Sequence, residues 1–227
     1  MCGRYVLKAT LPDIACMLGM DVDVDLALEP SYNIAPTRSV PVCRSEEPEK
    51  KELALMHWGL IPHWAKQRDS NYRMINARAE TVAEKPAFRS PFRHRRCLIP
   101  ADGYYEWKAM QGRKQPYYFS MKDDQPFCFA GLWDRWQAPD GPPVESCTII
   151  TTGANAFASE FHHRMPVILT QNDYKRWLDP RITGAAQVAP LLQPFPSEAM
   201  SVYPVSTLVN NARVDEARCI TPLADPA

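Results

Sequence analysis

Short apolar stretches separated by turn-forming residues run along this chain, and most of them predict β-strands. Residues 39–44 and 52–60 predict two strands joined by the charged turn 45–51. The densest β pattern comprises the four apolar or aromatic runs 96–99, 103–110, 116–121 and 127–136. The segments 111–114 and 122–125 separate these runs, and their composition predicts a hairpin turn at each. Three later runs continue the sheet, at residues 147–152, 166–169 and 201–204.

Helical patterns are fewer and shorter. Thr10 is a typical N-cap, and the apolar residues after it recur at helical spacing as far as Leu18. Residues 171–178 predict a second helix, which Pro180 closes. Shorter helices are predicted at residues 79–84 and 87–94 and around 155–159. Turn-forming residues predict loops at 29–37 and 61–71.

These elements predict an α+β fold. The chain has 227 residues, with 22 Pro and only 9 Gly. So high a proline content favours short strands and irregular connections over long helices. No repeat or break in composition divides the chain. We therefore expect a single domain over residues 1–227, with a strongly curved, mainly antiparallel sheet that approaches a β-barrel and carries short helices.

Charge and cysteine content narrow the function classes. The formal net charge is +0, which argues against a protein that coats nucleic acid through bulk charge but allows a local basic groove. No apolar run is long enough for a membrane span, and residues 1–8 do not resemble a signal peptide. The seven cysteines are scattered and form no C-x-x-C pair. We expect a cytoplasmic or nuclear monomer that is not membrane-bound and needs no metal or cofactor.

Cys2 is the first candidate for chemistry. Initiator methionine is normally removed when the second residue is small, which would place an α-amine and a thiol on adjacent carbons. At pH 7 roughly 14% of such an amine is neutral, against roughly 0.04% of a lysine. The amine can form a Schiff base with an aldehyde, and the thiol can then close a durable thiazolidine ring. A small residue at a frayed terminus is the alternative interpretation.

Three further segments carry candidate groups. Glu106 lies among aromatic residues in a predicted strand, and its side chain faces either solvent or the interior. In the interior, burial would raise the pKa of the carboxyl and suit it to proton transfer. Of the adjacent pair His162 and His163, at most one is expected to serve a site. Asn76 and Arg78 project to the same face of an extended segment, which suits either anion binding or a structural ion pair.

Several basic and aromatic residues lie next to these candidate segments or in predicted loops. Arg4, Arg78 and Arg164 each adjoin a candidate segment. The densest basic cluster, between Arg89 and Arg96, is expected to be a solvated helix face. Trp64 lies in a predicted loop, where it can stack on a base or anchor the loop by packing.

Together these motifs resemble the SRAP family of SOS response-associated peptidase, or abasic-site-processing, proteins. The matching segments are M-C-G-R-Y at 1–5, Y-N-I-A-P at 32–36, W-G-L-I-P at 58–62, I-N-A-R-A-E-T at 75–81, C-L-I-P-A-D-G-Y-Y-E-W at 97–107, H-H-R-M-P at 162–166, and Y-P-V-S at 203–206 followed by V-N-N at 209–211. The resemblance covers almost the whole chain. Two departures are Lys85-Pro86, where some members have Arg, and His163, where Asp is expected.

The resemblance implies a protein that binds single-stranded DNA containing abasic sites and crosslinks to them through Cys2. Glu106 would be the acid or base of Schiff-base chemistry, His162 would aid opening of the sugar ring, and Asn76 would hold Cys2. The residues implied to bind DNA are Arg4, Asn33, Pro36, Trp64, Arg78 and Arg164. The resemblance also implies peptidase activity that exposes Cys2, and it leaves strand cleavage of the abasic-lyase type open.

Two other classes of protein are alternatives. A class II glutamine amidotransferase also uses an N-terminal Cys followed by Gly, but it predicts an Asn-Gly oxyanion arrangement, and the chain contains no Asn-Gly dipeptide. A non-catalytic single-strand binder predicts reversible, salt-sensitive association that is indifferent to the lesion. That class would leave Cys2, Glu106 and His162 without a role.

Overall fold

A computed structural model describes residues 2–21, 26–67, 74–110, 112–139 and 141–223. Its strands are β1 Tyr5–Leu7, β2 Ser31–Ile34, β3 Ser39–Glu47, β4 Lys50–Trp58, β5 Asn76–Arg78, β6 Arg96–Ala101, β7 Gly103–Met110, β8 Arg113–Met121, β9 Phe127–Trp136, β10 Val144–Gly153, β11 Arg164–Pro166, β12 Ile168–Leu169 and β13 Met200–Pro204. Its α-helices are α1 Leu11–Leu18, α2 Arg89–His94, α3 Gln171–Leu178 and α4 Ala185–Val188. Among these described residues, no helix is long and apolar enough to cross a membrane.

The strands form two sheets. The first is antiparallel, in the order β13-β8-β7-β1-β2. The second runs β11-β10-β4-β3-β6-β9-β12 and is mixed, because β10 lies parallel to both β4 and β5. Strand β9 also pairs with β10, near the opposite end of this order, so the second sheet curves strongly back on itself. The predicted α+β class and curvature are confirmed, although the strands divide between two sheets.

One large apolar core joins the two sheets. Tyr5 of β1 lies edge-on to Trp58 of β4 at 5.2 Å and to Phe129 of β9 at 5.8 Å between ring centroids. Tyr104 of β7 also lies edge-on to Phe129, at 6.2 Å. Strand β1 is therefore held at both edges by backbone pairing, with β2 and β7, and on one face by the aromatic interior.

Several predicted elements are confirmed. Thr10 caps α1, and its hydroxyl and Asp13 form a reciprocal capping box. Helix α3 has the predicted bounds, and β3 and β4 form the predicted hairpin. Pro12 lies in the first turn of α1, where the missing N–H costs no hydrogen bond.

Four predictions of local structure are wrong. The predicted loop 29–37 contains strand β2, which pairs with β1. The predicted hairpin at 122–125 is instead a crossover, because β8 and β9 belong to different sheets. Residues 79–84 form turns rather than a helix, and the predicted helix around 155–159 is a 3-10 turn at Ala158–Glu160. Part of the predicted loop 61–71 lies outside the described residues.

The prediction that the basic cluster between Arg89 and Arg96 is a solvated helix face is wrong for Arg96. This residue is buried at the junction of α2 and α3. Its guanidinium donates to the carbonyl oxygens of Phe92 and Arg93, both at 2.9 Å, and of Trp177 at 2.6 Å. The indole Nε1 of Trp177 donates in return to the carbonyl of Cys97 at 2.8 Å. This cation therefore satisfies carbonyls at a helix end rather than facing solvent.

Asp134 of β9 is a fully buried carboxylate that organises charged groups. It accepts from the backbone N–H of His63 at 2.9 Å, from the His63 ring Nδ1 at 3.0 Å and from the N–H of Arg135 at 2.9 Å. It also accepts from the guanidinium of Arg95. The carboxylate therefore links the loop after β4 to the start of β6.

Asp134→Asn is expected to destabilise the fold by about 3 kcal/mol, because an amide cannot satisfy every donor that faces this buried site. Denaturant unfolding should show a lower midpoint with an unchanged slope. Glu198→Gln, at an exposed carboxylate, is the matched control and should leave the midpoint unchanged. Equal midpoints for the two variants would contradict this account of Asp134.

Candidate functional site

The start of the chain is fixed against β7. The pairing places Tyr5 opposite Tyr104, and the N–H of Tyr105 donates to the carbonyl of Arg4 at 3.0 Å. The residues before Tyr5 therefore run towards the part of β7 that carries Glu106. Cys2 is fully buried in the structure.

Asn76 holds Cys2 from the opposite sheet. Its side-chain Nδ2 donates to the carbonyl oxygen of Cys2 at 2.8 Å. The backbone of Asn76 pairs with Ile149 in β10, and the indole of Trp58 donates to the neighbouring carbonyl of Ile75 at 3.0 Å. The amide oxygen of Asn76 is buried and accepts no hydrogen bond from any described residue. The predicted contact between Asn76 and Cys2 is present, and the amide retains a spare acceptor.

Glu106 faces the interior of the site. Only 5% of the residue is exposed, and burial raises the pKa of its carboxyl. Burial and the nearby charge of Glu106 together raise the pKa of the Cys2 thiol. Glu106 lines a surface depression together with Trp107, His162 and two residues that the sequence did not single out, Lys114 and Asn210. Burial thus moves the pKa of this carboxyl upward from its usual range.

His162 is the second titratable group at this depression. The ring Nδ1 accepts from the N–H of Arg164 at 3.0 Å and lies 3.3 Å from the carbonyl oxygen of the same residue. The shorter contact favours the neutral tautomer that carries its proton on Nε2. Burial and nearby positive charge lower the pKa of His162. The exposed ring of His163 stacks on it at 4.3 Å between centroids. Of the two histidines, His162 thus lines the depression, and His163 supports it from the solvent side.

Arg4 is held in place rather than free. Its guanidinium donates to Oδ1 of Asn33 at 2.7 Å and to the carbonyl of Val209 at 2.6 Å. Asn33 is fully buried, and its Nδ2 donates to the carbonyls of Val209, Asn211 and Val214 at 3.3, 3.1 and 2.6 Å. Asn33 therefore positions Arg4 and the segment after β13, and no surface of Asn33 is available to a ligand.

Arg78 and Arg164 lie on either side of Thr151. Arg78 pairs with Thr151 in the β5–β10 register, and Arg164 donates to the carbonyl of Thr151 at 2.6 Å. The guanidinium of Arg164 also forms a bidentate ion pair with the Glu80 carboxylate, with N–O distances of 2.6 and 3.0 Å. Arg78 is exposed, and no ion pair joins it to another described residue. Of these two cations, Arg78 is the one whose charge is available.

Trp64 lies apart from this depression. Its side chain is 55% exposed, and it lines a second depression with His63, Pro86 and Arg89. Pro36 is half-buried in the turn that follows β2. The structure thus brings Cys2, Asn76, Glu106 and His162 together, while Trp64 belongs to a separate surface.

Two lining residues, Lys114 and Asn210, could not be assigned a role from the sequence. Asn210 accepts from the indole Nε1 of Trp107 at 2.7 Å and so forms one wall of the depression. Its place in the motif Val209-Asn210-Asn211 was the only signal. Lys114 lies in the hairpin opposite Ala109 and gave no signal beyond its charge. Among the described residues, no three His, Cys, Asp or Glu side chains converge to hold a metal ion.

Glu106 and His162 line one depression, and the buried thiol of Cys2 lies close to Glu106. A thiol, a carboxyl and an imidazole in this arrangement are a candidate set for nucleophilic and acid–base chemistry. Residues 1–212 match the family described as SOS response associated peptidase (SRAP), and the chain belongs to this family.

Named relatives and solved structures agree with this assignment. The chain is 42% identical to abasic site processing protein YoqW of Bacillus subtilis (strain 168) over 215 residues, which cover 94% of this chain and 96% of the relative. It is 34% identical to abasic site processing protein HMCES of Gallus gallus, covering 86% of this chain and 66% of that protein. A crystal structure of a Bacteroides thetaiotaomicron protein, 33% identical, superposes with a TM-score of 0.88 over 98% of this chain and 100% of its own.

Proposed function

We propose that this chain processes abasic sites in single-stranded DNA and crosslinks to them covalently through Cys2 after Met1 is removed. The relatives named abasic site processing proteins support the substrate class. The observation that carries the mechanism is the 2.8 Å hydrogen bond from Asn76 to the Cys2 carbonyl. This bond fixes the reactive end of the mature chain beside Glu106 and His162. The protein acts as a monomer in the cytoplasm, or in the nucleus of a eukaryote.

The first step is opening of the sugar. An abasic deoxyribose reacts as an aldehyde at C1′ only when its ring is open. The Nε2–H of neutral His162 can donate to the ring oxygen and favour the open form. The lowered pKa of His162 keeps this imidazole neutral at neutral pH, so it donates without placing a cation beside the neutral Cys2 amine that attacks next.

The second step is Schiff-base formation. The α-amine of Cys2 attacks C1′, and the carbinolamine then loses water to give an iminium ion. Glu106 is the residue that moves protons between nitrogen and oxygen in this step, because it lies close to Cys2 and burial raises the pKa of its carboxyl. The spare carbonyl oxygen of Asn76 can accept from the attacking amine and fix its direction.

The third step is ring closure. The Cys2 sulfur forms a bond to C1′, the π electron pair of the iminium moves to nitrogen, and the thiol proton passes to the Glu106 carboxylate. The product is a thiazolidine. Closure removes the imine on which β-elimination depends, so the crosslink protects the strand from cleavage. Cleavage and closure are therefore competing fates of one intermediate.

A charged groove rather than overall charge guides the strand, since the chain has net charge +0. Arg4 and Arg164 are held by protein partners and keep a fixed position, whereas Arg78 is exposed. We propose that these three cations contact phosphates on both sides of the lesion. Pro36 and Trp64 would contact the bases of the flanking strand.

Arg78→Gln is expected to weaken binding to single-stranded DNA and to reduce the slope of log K against log salt by about 1, because one phosphate contact is lost. Fluorescence anisotropy with an intact oligonucleotide at several salt concentrations measures both quantities. Lys175→Gln, at an exposed cation of α3, is the control and should leave the slope unchanged. The same slope for Arg78→Gln and the parent would remove Arg78 from the interface.

The proposal as a whole is tested on a denaturing gel. The purified chain is incubated with an oligonucleotide that contains one abasic site and, separately, with the same sequence intact. We expect a slower band only with the abasic strand, and we expect it to withstand heating. Binding to both strands without a heat-stable band would instead identify a reversible single-strand binder.

A further inference from the structure

Tyr104 carries a buried hydroxyl that no described residue satisfies. The residue is 1% exposed, and its ring stacks on Phe119 at 4.9 Å between centroids. Its hydroxyl oxygen has no hydrogen-bond partner among the described residues. A buried hydroxyl without a partner is costly, and phenylalanine would fill the same space without that cost. The Tyr104 hydroxyl is therefore a candidate for a role beyond packing.

The hydroxyl lies among the reacting groups. Tyr104 pairs with Tyr5 in the β1–β7 register, and Glu106, two residues further along β7, lies on the same face. Burial raises the pKa of Tyr104, and the nearby charges of Cys2 and Glu106 raise it further. The phenol therefore remains protonated at neutral pH and can act as a hydrogen-bond donor. Nothing in the sequence marked Tyr104 apart from its place in a shared motif.

We propose that the Tyr104 hydroxyl donates a hydrogen bond to the Cys2 sulfur of the mature chain and so promotes thiolate formation for ring closure. This rests on the proposed function of Cys2. Burial and the charge of Glu106 both disfavour a thiolate at Cys2, so the site needs a donor to oppose them. Tyr104 acts through Cys2 and is a positioning residue. The thiol proton still passes to Glu106, and Tyr104 neither gains nor loses a proton.

Tyr118 provides a matched control in the same sheet. It is 2% exposed, and its hydroxyl also has no partner among the described residues. Its neighbours are Tyr105 and Tyr203 rather than the candidate site. Tyr118→Phe and Tyr104→Phe thus remove the same group from equally buried positions, and only one of the positions adjoins Cys2.

The test compares both variants in a Cys16→Ser background, because Cys16 is the one exposed cysteine among the described residues. Mass spectrometry first establishes that Met1 is absent. The rate of Cys2 alkylation by iodoacetamide is then measured from pH 6 to 10 on free protein, and crosslinking is measured separately at pH 7 with an abasic oligonucleotide. For Tyr104→Phe we expect alkylation to be about tenfold slower at each pH in this range, because the thiolate fraction falls tenfold when the pKa of the thiol rises by about 1, and we expect crosslinking to slow about tenfold.

Tyr118→Phe should match the parent in both measurements, and neither variant should melt at a lower temperature. Coincident alkylation profiles for Tyr104→Phe and the parent would overturn the proposal. A fall in the melting temperature of Tyr104→Phe would also overturn it, since the hydroxyl would then have a structural partner. Because alkylation needs no DNA, it tests Tyr104 even if the parent fails to crosslink, which would refute the proposed function instead.

Discussion

Cys2→Ser is expected to lose the heat-stable DNA adduct completely while keeping an imine that borohydride can trap. Serine retains the α-amine, so Schiff-base formation survives. Its hydroxyl is a far weaker nucleophile than a thiol and cannot close a durable ring. The measurement is a denaturing gel with an abasic oligonucleotide, run with and without borohydride.

Cys16→Ser is the control for this substitution. Cys16 is exposed on α1, so its replacement removes an accessible thiol without touching the candidate site. The control should crosslink at the parent rate. If Cys2→Ser gave an adduct as heat-stable as that of the parent, ring closure through sulfur would be wrong.

Glu106→Gln is expected to slow crosslinking by roughly 10²–10⁴-fold, the range typical of a lost general acid or base. The amide keeps the size of the side chain but cannot exchange a proton. Single-turnover rates with an abasic oligonucleotide give the comparison, and anisotropy with an intact strand should show unchanged binding. Glu160→Gln, at an exposed carboxylate of the nearby 3-10 turn, should react at the parent rate.

The same substitution should also stabilise the fold at neutral pH. Because burial raises the pKa of Glu106 in the folded chain, the neutral acid favours the native state, and this contribution is lost as pH rises through the raised pKa. Glutamine stays neutral at every pH. The melting temperature of Glu106→Gln should therefore exceed that of the parent at neutral pH, and the two should converge in acid. If Glu106→Gln crosslinked more slowly but melted at the same temperature as the parent at neutral pH, the interpretation that burial disfavours the ionised carboxylate would be wrong.

Local sequence rules predicted the elements whose determinants lie within them. The capping box at Thr10 defines the start of α1, and the alternation of β3 and β4 predicts their hairpin. Strand β2 was missed because its sequence is rich in turn formers, and pairing with β1 decides its conformation. The turn at 122–125 has a hairpin composition, but the sheet to which each flanking strand belongs is a tertiary property.

The candidate site also has some features that the local sequence predicts and others that depend on the tertiary structure. Cys2, Glu106 and His162 could be named from their chemistry and motifs, and the structure places them at one end of β1 and β7. The partners of other residues could not be predicted. Asn33 belongs to a quoted motif, yet only the structure reveals that it is buried and holds Arg4. The orphan hydroxyl of Tyr104 likewise depends on what surrounds it in three dimensions.

Intact mass of the protein before and after incubation with an abasic oligonucleotide tests the central claim most directly. We expect the starting protein to lack Met1 and to gain the mass of one oligonucleotide less one water, with the amine and thiol both consumed. A chain that keeps its initiator methionine and still gains the strand irreversibly would contradict the account, because no free aminothiol would then exist to capture the sugar.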